Sequence, residues 1–422
     1  MNRPQSLRRA RRASTLLALT LTTALLTPAV SQAESRAESQ TGSRTVSRAT
    51  SAAATTQVVT WGASADRLDA AVAGRTHRLV IRTSAGGSAL RIRLSNAFGE
   101  QPVTFGRAYV GVRASGAAVA PGTNRALTFG GAAAVTVPAG GSVYSDPLPG
   151  TVRAQADLAV SIYVQSAAGT ATGHQMGRQT SYIAPAGNHA AAEAATAYTQ
   201  TTGFRYYLDA VVADAPAGTG AVVALGDSIT DGSNSTPDTN RRWPDLLSAR
   251  LQATTGTTLK GVANEGISGN KVLTDGAGVS ALKRLDRDVL SQRGLRTVIL
   301  LEGVNDIKAN PAPTAAQLIT AYRQIIDRTR ARGACVVGAT VMPYEGWPEW
   351  NANGEAIRQE VNRFIRSGAF DAVVDFDAAI RNPAAPTKML PAYDAGDHLH
   401  PNDAGMKLMA DTVNVNALGC SR

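Results

Sequence analysis

The strongest constraint on the fold is a change of hydrophobic period near residue 215. Upstream, over 57–215, the chain carries short β-branched segments such as "HRLVIRTS", "ALRIRLSNAF", "AVTVPAG" and "ADLAVSIYVQ". Several alternate apolar with polar, as in Leu90-Arg91-Ile92-Arg93-Leu94, the two-residue period of a strand with one buried face. Turn clusters at Gly86-Gly87, Gly130-Gly131 and Gly140-Gly141 separate them, so this half predicts an all-β sandwich or jelly-roll-like domain. After a linker, "ADAPAGTG" (213–220), apolar runs at 222–225, 297–303, 335–343 and 372–376, with a weaker one at 260–264, alternate with helical patterns. The clearest helix starts at Thr314, with Gln317 three residues on as a capping box, and puts Leu318, Tyr322, Ile325 and Ile326 on one face. Strands alternating with helices predict βαβ units, and so an α/β domain over 220–420 with a parallel sheet between two helical layers.

The first 33 residues belong to neither half. Arg3, Arg8, Arg9, Arg11 and Arg12 precede the apolar run "LLALTLTTALLTPAV", and small residues stand at Ser31 and Ala33. This is the pattern of a secretory signal peptide with cleavage after Ala33, and it predicts a secreted protein. The apolar run is shorter than the roughly 20 residues a membrane span needs, so no stable membrane insertion is expected. Arg11-Arg12 leaves twin-arginine export open beside the general route. Residues 34–56 are rich in Ser, Thr, Ala and Arg without an apolar period and predict a disordered lead-in. The leader carries five arginines and no acid, so half of the net charge of +10 leaves with it. The remaining basic residues are scattered, which argues against a nucleic-acid partner. The only cysteines are Cys335 and Cys420. An even pair in an exported chain favours a disulfide, with two buried thiols as the alternative.

Four short stretches stand where strands of the second half should end: Gly226-Asp227-Ser228, "ANEGISGN" with Asn264 and Gly269, "GVND" with Asn305, and "DHLHPND" with Asp397 and His400. In a parallel sheet these ends share one rim, where open α/β folds place their sites. A serine hydroxyl needs a base to become a nucleophile, and a histidine oriented by a carboxylate is a suitable one. His77, His174 and His189 stand alone in the β half and read as structural. No His/Cys/Asp cluster has metal-ligand spacing and no phosphate loop is present, so neither metal nor cofactor is expected.

These four blocks, in this order, resemble those of the SGNH/GDSL hydrolases, and the resemblance spans about 220–415. The β half is similar to the domain that precedes some members of that family. The resemblance implies a flavodoxin-like three-layer fold and a serine esterase acting through an acyl-enzyme. It implies Ser228 as nucleophile, His400 as base and Asp397 as its orienting carboxylate. His400 is chosen over His398 because Pro401-Asn402 follow it. The oxyanion donors implied are the N–H groups of Ser228 and Gly269 and the side-chain amide of Asn305. Asp227 and Asn264 are expected to brace the serine loop.

The substrate is read from the loop "YEGWPEWNANG" after the strand at 335–343, where Tyr344, Trp347 and Trp350 offer flat faces for a sugar ring and Glu345 and Glu349 offer carboxylates. This favours a short acyl or acetyl ester on a polysaccharide. The alternatives are a lipid esterase (lipase or phospholipase) and, from another class, an inactive glycan-binding protein.

Overall fold

Strands with one apolar face must bury it against a second sheet, and the N-terminal half does so. The computed structural model describes residues 54–419. Its main N-terminal strands are β1 (Thr55–Gly62), β2 (Arg75–Arg82), β3 (Gly87–Ser95), β4 (Val103–Ser115), β5 (Asp157–Ser166), β6 (Thr170–His174) and β7 (Leu208–Pro216). One sheet contains β1–β7–β3 and a second contains β2–β5–β4, with every neighbouring pair antiparallel. Leu79, Ile81, Ile92, Leu94, Phe105 and Ile162 share the core between them. β6 belongs to a small third sheet. β1 begins at Thr55, inside the segment read as lead-in, because Thr55 and Thr56 pair with Pro216 and Ala215 at the end of β7. The expected signal peptide and residues 34–53 lie outside the described residues.

The second half follows the βαβ pattern. Its elements are β8 (Gly220–Gly226), α1 (Ser228–Asp231), α2 (Trp243–Ala253), β9 (Leu259–Gly266), β10 (Leu295–Leu301), α3 (Val304–Ile307), α4 (Ala315–Ala331), β11 (Cys335–Ala339), α5 (Ala352–Phe364), β12 (Ala372–Val374) and α6 (Asp403–Thr412). The sheet order is β9–β8–β10–β11–β12, parallel throughout, which is the flavodoxin-like order. The capping box forms at the start of α4: Gln317 N–H donates to Thr314 Oγ1, and Thr314 N–H donates to Gln317 Oε1.

The two halves share a core. Val58, Val59 and Val212 of the sandwich belong to the same apolar cluster as Val222, Val262 and Val298 of the parallel sheet. β1 lies along the outer edge of β9, where Ala63 forms a parallel bridge to Asn264 and the Val262 N–H donates to Ser84 Oγ at 2.8 Å. Gly261 permits this approach, since a Cβ there would stand 2.3 Å from the Val59 carbonyl oxygen.

Cys335 opens β11 and is in register with Thr297 of β10, whose hydroxyl donates to the Leu418 carbonyl at 2.6 Å. The chain is thereby held close to Cys335 two residues before Cys420, which lies outside the described residues. A Cys335–Cys420 bond would close a loop of 85 residues. It should contribute about 4 kcal/mol by restricting the unfolded chain. Maleimide should then find no thiol in denatured, unreduced protein; labelling of both cysteines would exclude the bond.

Candidate active site

β8 is buried along its whole length and stops at Gly226. The Asp227 carboxylate accepts the Ile229 N–H at 2.9 Å, which caps α1 and sets Ser228 as its first residue. At the other side of the rim, Asp397 Oδ1 accepts the N–H groups of Leu399 and His400 at 3.0 and 2.8 Å. That fold leaves Oδ2 facing His400 Nδ1 at 2.7 Å, with Asn234 Nδ2 donating to the same oxygen at 2.9 Å. A ring nitrogen facing a carboxylate carries the proton, so Nε2 is the free acceptor. It lies 2.8 Å from Ser228 Oγ. Partial burial works against the Asp397 charge, but the two amides and the imidazole outweigh it and hold its pKa below the ordinary value. His398 turns away and bonds Asp394 at 2.6 Å.

Gly269 follows β9 in the left-handed region, with φ 78°, a conformation that suits glycine. Asn305 is the second residue of α3, and its Nδ2 donates to the Asn270 carbonyl at 2.9 Å. One amide hydrogen therefore ties α3 to the Gly269 loop while the other remains available. Asp306 reinforces the tie by accepting the Val272 and Leu273 N–H groups at 2.8 and 3.1 Å. Asn264 spans the serine segment and the glycine loop: Nδ2 donates to the Thr230 carbonyl at 2.7 Å, and Oδ1 accepts the Gly266 N–H at 3.0 Å.

Arg284 is a hub that no motif marks. Fully buried, it donates to the carbonyls of Gly226 and Glu265 at 3.0 and 2.7 Å and to Asn270 Oδ1 at 2.9 Å. Its sequence setting, "ALKRLDRDVL", reads as an ordinary solvated helix. Behind the serine two carboxyls are buried. Desolvation pushes Asp227 up to about 7, with the Ile229 amide and Lys308 opposing it. It pushes Glu302 well above its usual range, where repulsion from Asp227 adds to it and Arg284, 3.7 Å away, opposes it.

The expected aromatic rim is only partly assembled. Tyr344 is a correction: it is fully buried in the core of the α/β domain, because the apolar run of β11 continues through Pro343 and tucks the ring beneath α5. Its hydroxyl is so close to Gly354 that a Cβ there would stand 2.5 Å away. Trp350 is half-buried and packs on the same core. Trp347 alone meets the triad residues, standing edge-on to the His400 ring with centroids 6.0 Å apart. Lys308 Nζ lies 4.8 Å above the Trp347 ring. Glu345 is engaged by Thr387 and by Lys388, and Glu349 faces Lys308 at 3.9 Å.

A serine, an imidazole and a carboxylate thus stand hydrogen-bonded in a row on the carboxyl rim of a parallel sheet, an arrangement suited to nucleophilic acyl transfer. Residues 224–408 match the GDSL-like Lipase/Acylhydrolase family. The α/β half of the chain belongs to that family, and the protein is a carboxylic ester hydrolase. Among solved structures it is similar to a carbohydrate acetylesterase from Sinorhizobium meliloti, with 17% identity, a TM-score of 0.39, and coverage of 47% of this chain and 100% of that one. It is also similar to an aryl esterase from M. smegmatis, with 18% identity, a TM-score of 0.38, and coverage of 47% and 100%. No curated protein matches the chain.

Proposed function

We propose that the protein is a secreted esterase that removes short acyl groups, acetyl foremost, from carbohydrate. The observation that carries the catalytic part is the unbroken row from Ser228 Oγ through His400 to Asp397. Ser228 attacks the acyl carbonyl as His400 Nε2 takes its proton, and the ester oxygen leaves as an alcohol with that proton. Water then enters by the same base and releases the acid from the acyl-enzyme. The N–H groups of Ser228 and Gly269 and the free amide hydrogen of Asn305 serve the oxyanion, which is why α1, the glycine loop and α3 are tied together. Secretion rests on the leader at 1–33.

The carbohydrate reading rests on Trp347, an aromatic side chain beside His400 with Lys308 and Glu349 around it, a mixed polar and aromatic rim. A lipid esterase is the second reading. It is favoured by a cavity of about 720 Å³ beside Asp306, lined by Leu273, Leu282, Pro311, Ala312 and Ala316 among others. Hydrolysis of p-nitrophenyl esters from two to sixteen carbons, beside acetylated xylan and a phospholipid, separates the two. Trp347→Ala should lower kcat/KM for an acetylated oligosaccharide by roughly tenfold more than for p-nitrophenyl acetate, as loss of an anchoring aromatic contact does. Equal losses would reduce Trp347 to packing, and a preference for long acyl chains would favour the lipid.

A further inference from the structure

We propose that the sandwich domain supplies a positioning residue to the esterase site: His174, at the end of β6, which acts through Asp231 to hold the Ser228 segment and the Gly269 loop in register. The inference rests on the reading above that both segments donate an N–H to the oxyanion.

The two donors stand on separate pieces of chain, α1 and the loop after β9, and a working oxyanion site tolerates errors of only about 0.5 Å between them. Asp231 bridges the pieces. It lies three residues after Ser228, at the end of α1, and its Oδ2 accepts both the N–H and the hydroxyl of Ser268 at 3.1 and 2.8 Å. Ser268 immediately precedes Gly269.

A carboxylate as deeply buried as Asp231 needs a partner. His174 provides it across the domain boundary, with Nε2 2.9 Å from Asp231 Oδ1. Nε2 is also 3.1 Å from the Met176 carbonyl, and Nδ1 is 3.0 Å from the Ser64 carbonyl. Every atom that meets the ring nitrogens is an acceptor, so both nitrogens carry protons and the ring is an imidazolium. Burial opposes that charge, but Asp231 and the two carbonyls outweigh it and raise the histidine pKa. Two residues on, the Met176 sulfur lies 3.4 Å from the hydroxyls of both Ser233 and Ser268. One stretch of the sandwich thus reaches the flanks of both donor segments. His174 bonds neither Ser228 nor His400, so its part is placement rather than proton transfer.

The test compares kcat and KM for p-nitrophenyl acetate with the inhibition constant of a trifluoromethyl ketone, whose hemiketal oxygen occupies the oxyanion position. His174→Gln should lower kcat and weaken the ketone by roughly tenfold or more, with KM within about twofold, as expected of a small misplacement. Asp231→Asn should do the same, and the double variant should lose little beyond either single one, since the two act as a unit. Arg93→Gln breaks another buried ion pair of the sandwich, at 2.6 Å to Asp209, and serves as the control that should lower Tm without the ketone effect. If His174→Gln does not fold, Asp231→Asn and Ser268→Ala decide the matter with the same readouts. Wild-type kcat and ketone affinity in the folded variants, or equal losses in Arg93→Gln, overturn the inference. Failure of the esterase reading itself would look different: Ser228→Ala would keep its turnover.

Discussion

Ser228→Ala and His400→Ala each leave a folded protein whose turnover of p-nitrophenyl acetate falls by roughly 10⁴-fold or more. Ser228 is only 6% exposed and its hydroxyl is bonded to His400, so alanine removes one buried contact and leaves the α1 cap on Asp227 untouched. Removing the imidazole leaves Asp397 with the Leu399 and residue-400 amides, enough to keep the loop folded. Because nucleophile and base act as one unit, the double variant should lose little more than either alone. A single variant retaining a tenth of wild-type kcat would refute the assignment. Asp397→Asn should cost less: its Oδ1 can still accept the two amides, while its NH₂ would face Nδ1 and favour the tautomer with Nε2 protonated, a poorer base rather than none.

Asn305→Ala should lower kcat by roughly 10²–10³-fold with little change in KM, because an oxyanion donor acts mainly in the transition state. The same amide also holds the Asn270 carbonyl, so alanine loosens the glycine loop as well as removing a donor. Asn305→Asp separates the two effects in part. It keeps the shape of the side chain but turns an acceptor toward the Asn270 carbonyl and toward the developing charge, so it should be at least as damaging as alanine. A change confined to KM would make Asn305 a substrate-binding residue.

The residues that were legible in the sequence are those whose placement follows from the sheet. A buried run that breaks at Gly226-Asp227-Ser228, and a "GVND" directly after another, reach the same rim in any parallel sheet, whereas the choice of His400 over His398 rests on the resemblance of the block "HPND" to the family pattern. Tyr344 could not be placed this way. An aromatic residue just past a strand end has the same sequence appearance whether it faces the rim or turns inward, and only the packing of α5 decides. His174 and Asp231 are 57 positions apart and meet across two halves of different period, a contact with no local signature. Arg284 was hidden for a related reason: its charge pattern is that of a surface helix, and burial is decided by carbonyls contributed from three other segments.

The seam between β1 and β9 limits how a chain like this can be recombined with others. Severed in the short connection after Pro216, the α/β half would lose Val58 and Val59 from its own core and expose β9 as a bare parallel edge, a template on which a second copy could add a strand. A replacement module would have to bring both a strand that fits against Gly261 and apolar side chains to fill the gap. The sandwich is therefore not interchangeable cargo: removing it requires another way to close the hydrolase at the β9 edge.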